Sequence, residues 1–180
     1  MGGKGASLWA MTSKLGLPTP PGFTIGVNTC AMLGKSQVTE NFTATMDDAI
    51  ARLEKETGKQ LGCAEKPLPL AVRSGASVSM PGMMETVLNL GLTSYTIPGL
   101  IEKTNNPRFV YDAYRRLITM YSDVVMEKAA GIEPKEGDGI RQKLEHHLDS
   151  YKSKNGLEGD TDLSEDCLLY TSPSPRDETK

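Results

Sequence analysis

Residues 71–92 read AVRSGASVSMPGMMETVLNLGL, and the fold reading turns on them. An apolar run stops at Arg73. A stretch rich in Ser, Gly and Met follows, with Pro81 inside it, and an amphipathic Leu/Val pattern then resumes. With the preceding PLPL, the segment reads as a short buried strand that ends on a fixed cation. Gly75 and Gly82 give the loop beyond it a permissive backbone, and Ser74, Ser77 and Ser79 supply hydroxyls.

Outward from this stretch the chain has two characters. Toward the N-terminus short elements alternate with Gly and Pro. GASLWAMTSKLG predicts a helix closed by Gly16, with Lys14 well placed in its last turn. LPTPPGFTIGV predicts an extended entry into a short strand, because Pro18, Pro20 and Pro21 oppose helix. TMDDAIARLEKETG predicts a helix with Met46, Ile50 and Leu53 on one face and Gly58 as its stop. From about Asn105 the period becomes helical. Val110, Tyr114, Leu117, Tyr121 and Val125 mark one long helix with Pro107 near its start; Ile140, Leu144 and Leu148 mark a second, which KSKNGLEGD ends. The expected class is α+β. An α/β lobe over 1–104 precedes a helical subdomain over 105–167, and both are expected to be incomplete, the first at its N-terminus. Met1, set directly against Gly-Gly-Lys-Gly, reads as an internal methionine. Residues 168–180 read as a tail, either a disordered linker or a non-native end. LLYTSPSPRD resembles translated adapter sequence, so the natural chain is expected to break off near Cys167.

Composition narrows the function classes. A net charge of −3 over 180 residues argues against a nucleic-acid partner. No run approaches the roughly 18 apolar residues of a membrane span. Three cysteines without a CxxC pair indicate neither a disulfide framework nor a zinc site, and suggest a reduced, intracellular setting. No metal ligands are assigned.

Two motifs carry chemistry. GGKGAS, residues 2–7, sets Lys4 among glycines at the mouth of a helix, where backbone N–H groups attract anions. The spacing is not that of a Walker A loop, and a tight turn with a solvated Lys4 is the other reading. The second motif is Arg73 with its Ser/Gly loop. A guanidinium fork suits a phosphate, and a surface ion pair is the alternative.

GGKGASLWAM, LGLPTPPGFTI, PLPLAVRSGASVSMPGMMETVLNLGL, NPRFVYDAYRRLITMYSDVVM and DTDLSEDCL together resemble the N-terminal nucleotide-binding region of the pyruvate, phosphate dikinase family. The likeness runs in order through residues 2–167. Gly75 and the Met80–Met84 loop separate it from phosphoenolpyruvate synthases, which carry VRSSA and then an acidic stretch. Ser7, Trp9 and Ala10 depart from the family's GGKGANLAEM at positions that do not contact phosphate.

The resemblance implies the first lobe of an ATP-grasp-like nucleotide-binding domain with a helical insertion. It implies phosphate-binding roles for Lys4, Arg73, Gly82 and Arg116, the first two also as electrostatic catalysts. Arg116 has an alternative as an exposed helix charge, and Met83 and Met84 are either packing for the mobile loop or core filling. Arg115 is taken as structural, and His146 and His147 as solvated surface. Mg²⁺ is expected on carboxylates outside this sequence. ATP, inorganic phosphate and, through further domains, pyruvate are the expected partners; the full enzyme is expected to be an intracellular homodimer, cytoplasmic or plastid. This chain alone is expected to be inactive. The alternatives are a phosphoenolpyruvate synthase-type dikinase and a non-catalytic nucleotide-binding or interaction module.

Overall fold

The computed structural model describes residues 3–29, 39–75, 86–128, 130–135 and 137–171, with side chains described as far as 168. It is helix-rich, with one two-stranded sheet, and so is a mixed α and β structure. The chain divides into two compact units, one of residues 1–61 and 73–85, the other of residues 62–72 and 86–180. β2 and the helix before Asn105 belong with the long helix after it, because they share its core.

In the first unit, α1 (Gly3–Trp9) continues as a π-helical turn, Ala10–Lys14. Gly16 follows at φ +62°, the left-handed conformation that makes glycine the natural stop. Lys14 Nζ lies 5.4 Å from the centre of the Trp9 ring, a cation–π distance. Residues 16–26 form no strand, contrary to the sequence expectation. The prolines hold the backbone extended but Pro lacks an N–H, no strand among the described residues pairs with the segment, and Phe23, Ile25 and Val27 stay exposed. Helix α2 (Glu40–Thr57) starts five residues earlier than TMDDAIARL suggests. The Thr39 hydroxyl accepts the Phe42 N–H at 3.3 Å and caps it, and Gly58 at φ +64° ends it.

The second unit centres on α4 (Pro107–Tyr121). It is reached through the hydrogen-bonded strands β1 (Leu70–Arg73) and β2 (Thr86–Leu90) and through α3 (Ile97–Thr104). β1 is largely exposed, with Val72 at 50%, so the buried strand expected at PLPLAV is corrected. Burial falls on the preceding Pro67 and Leu68 instead, because β1 has only β2 beside it among the described residues. α3 and α4 join through three residues with separate duties. Asn105 ends α3 in the left-handed region at φ 48°, the Asn106 side chain accepts the Phe109 N–H at 3.0 Å, and Pro107 opens α4.

Helix α4 carries two small cores. Val87 and Leu92 pack on Ala113 and Leu117, with Leu100, Tyr114 and Val124 around them. Tyr111 packs on the other core, formed by Leu148 of α5 (Ile140–Asn155), Leu163, and Cys167 and Leu168 of α6 (Glu165–Thr171). Leu168 has no exposed surface. Residues 172–180 lie outside the described residues. A π-helical segment, Ser122–Lys128, extends α4. Within that segment Ser122 and Glu127 are buried, five residues apart, while Tyr121 and Val125 of the expected α stripe are exposed.

Candidate phosphate-binding site

Lys4 and the strand end bearing Arg73 belong to the same unit, although 70 positions separate Lys4 from Ser74. Gly3–Gly5 already lie in the first turn of α1 rather than in a loop before it. From there Lys4 Nζ donates to the Ser74 carbonyl at 3.4 Å, a long contact between exposed groups. Arg73 is exposed one residue earlier, and no carboxylate among the described residues pairs with it. The arrangement brings the Lys4 ammonium to an exposed main-chain carbonyl on the residue that follows Arg73, whose own side chain is also exposed. Both cations are in water, where a multiply charged anion can reach them. The Ser74 carbonyl is a main-chain feature, and no side-chain pattern in the sequence marks it.

Gly82, with Met80, Met83 and Met84, lies outside the described residues. Arg116 lies in the other unit, on α4, with 57% of its side chain exposed. Its Nε donates to Asp112 Oδ2 at 2.8 Å, an i, i+4 pair of the helix surface. Arg115 next to it is mostly covered and bonds to Asp112 at 2.8 Å and to Asp160 at 3.0 Å. Arg108 joins this network, donating through Nε to the Leu163 carbonyl and through a terminal nitrogen to the Asp160 carbonyl. A hydrogen bond from Lys152 and the nearby guanidinium of Arg115 hold the Asp160 carboxyl below the usual carboxylate range. Arg115 is therefore a structural cation. His146 and His147 are both exposed on α5; His147 borders a cavity of about 30 Å³, the size of one water.

Among the described residues, no group of three or more His, Cys, Asp or Glu side chains could hold a metal ion. No helix among them is long and apolar enough to cross a membrane.

The chain matches no family model. It is 46% identical over 170 residues to pyruvate, phosphate dikinase of Clostridium symbiosum, covering 93% of this chain and 18% of that protein. The enzyme of the same name from Giardia intestinalis is 43% identical over 172 residues, again 93% and 18%. Pyruvate, phosphate dikinase 1, chloroplastic, of Arabidopsis thaliana is 41% identical over 166 residues, which cover 91% of this chain and 16% of the relative. The chain thus spans less than a fifth of the length of these curated relatives. Over nine-tenths of its own length, it is homologous to the N-terminal part of the pyruvate, phosphate dikinases.

Proposed function

We propose that this chain is the phosphate-binding part of the first nucleotide-binding lobe of a pyruvate, phosphate dikinase. In this reading the lobe is ATP-grasp-like, and the parent enzyme converts ATP, inorganic phosphate and pyruvate to AMP, diphosphate and phosphoenolpyruvate. One observation carries the proposal. The chain matches the dikinases over 93% of its length, and the fold brings the Lys4 ammonium to the Ser74 carbonyl, on the residue after Arg73.

Phosphoryl transfer relies on positioning and on neutralising negative charge spread over the phosphoryl oxygens. Lys4 and Arg73 supply positive charge for this and move no proton. An ammonium is a point charge with rotating donors, whereas the guanidinium offers two parallel donors, so the pair grips a polyphosphate in two different ways. Gly82 gives the covering loop close backbone approach, and Arg116 handles phosphate after leaving Asp112. In this reading Mg²⁺ is held by carboxylates beyond this sequence, and no step here runs through it.

The test compares this chain alone with the same chain fused to the remainder of a dikinase. ATP binding by calorimetry is expected to be weak or undetectable for the chain alone, since phosphate contacts without the adenine and metal contacts compete poorly with water. The fusion is expected to bind ATP and form phosphoenolpyruvate. A folded fusion without ATP-dependent activity would count against the proposal.

A further inference from the structure

Helix α5 begins on buried Gly139, which has no side chain to cap it. The first N–H groups of a helix have no partner within it, and a buried helix start therefore needs an acceptor from elsewhere. Here the acceptor comes from the previous helix. Glu127, itself only 5% exposed, receives the Ile140 N–H on Oε1 at 2.7 Å. Its main chain also takes part, since the Glu127 carbonyl accepts the Ile132 N–H at 2.9 Å and fixes the connection that follows.

The π-helical segment makes this reach possible. Within it Ser122 and Glu127, five residues apart, are both buried. On an uninterrupted α-helix, residue 127 would lie well off the line of Val110, Ala113 and Leu117. Around the latch, Asp123 of the same segment is paired with Lys128 at 3.3 Å and lies 3.6 Å from Arg141 of α5, so a second, looser link runs across the same junction.

We infer that Ser122–Lys128 is a latch, in which the π geometry delivers Glu127 as the N-terminal cap of α5. Glu127 is a positioning residue: it sets where α5 starts and at what angle it leaves α4. Releasing it frees the first turn of α5 while the β2–α4 core stays closed, because that core does not include Glu127.

Amide hydrogen exchange on the 180-residue chain reads this directly. Glu127→Ala is expected to speed exchange at Ile140 about tenfold or more, the loss of one charge-assisted hydrogen bond, while Val87 and Leu117 keep wild-type protection. Glu127→Gln retains an acceptor oxygen without the charge and is expected to show a smaller rise confined to the same turn. It carries the test alone if the Ala variant fails to fold. Unchanged exchange at Ile140, or an even loss of protection at Val87, Leu117 and Ile140, would overturn the inference.

Discussion

Arg115 and Arg116 are neighbours in YDAYRRL, and one step of helix rotation separates their roles. Arg115 turns toward Asp112 and Asp160 with 14% of its side chain exposed, whereas Arg116 stands in solvent at 57%. Removing the covered cation takes charge-assisted hydrogen bonds from Asp112 and Asp160, which keep Arg116 and Lys152, while an exposed pair contributes little. Arg115→Ala is expected to cost about 2–3 kcal/mol of stability in urea unfolding at pH 7, and Arg116→Ala about 0.5 kcal/mol or less. The pH dependence has a definite sign. Asp160 titrates below its ordinary range in the folded chain, so its pairing is fully present above the unfolded value of about 4 and is lost as pH falls through the folded one. The difference between wild type and Arg115→Ala should therefore shrink below about pH 4. The sequence alone shows two basic residues on a helix. It was the long-range partner Asp160, 45 positions away, that no local pattern announces.

At the scale of elements, legibility followed how local the cause was. Gly16 and Gly58 as helix stops, Pro107 at the start of α4 and the end of α5 at Asn155 depend on neighbouring residues and read correctly from the sequence. The start of α2 was legible in Thr39 and Glu40, but the threonines at 43 and 45 weigh against helix locally and hid it. Whether LPTPPGFTIGV becomes a strand depends on a partner strand, and the i, i+5 burial of the π segment depends on what packs beneath it. Neither cause is local. Helix α3 runs through Pro98 and Gly99, residue types that oppose helix. Pro98 is in fact tolerated in the first turn. Gly99 is required by close approach: a Cβ there would fall 1.5 Å from the Ala64 carbonyl oxygen, so backbone must move. Gly99→Ala is expected to destabilise the chain by about 1–3 kcal/mol or more despite alanine's better helix propensity. Thermal unfolding checks it, and a neutral or raised Tm would show that α3 does not press on residue 64.

At the scale of the whole molecule, the order of motifs along residues 2–167 carried the family likeness, and the dikinase relatives match over 93% of the chain. Gly82 could be read only through that likeness, since it lies outside the described residues. The central claim is that Lys4 and Arg73 act on the phosphates of ATP, and a complete dikinase carrying these residues tests it most directly. The family resemblance implies that its reaction divides into ATP-dependent phosphorylation of a histidine outside this chain and phosphate exchange between phosphoenolpyruvate and pyruvate. Both are measured on one preparation of wild type, Lys4→Ala, Arg73→Ala and Arg73→Lys, with folding checked by circular dichroism. Either Ala variant is expected to slow the ATP half-reaction about a hundred- to a thousandfold, as loss of one contact to a developing oxyanion does. Exchange should remain near wild type, and Arg73→Lys should recover only part of the loss because it lacks the bidentate fork. Equal loss in both half-reactions would contradict the claim and make Arg73 and Lys4 supports of the fold.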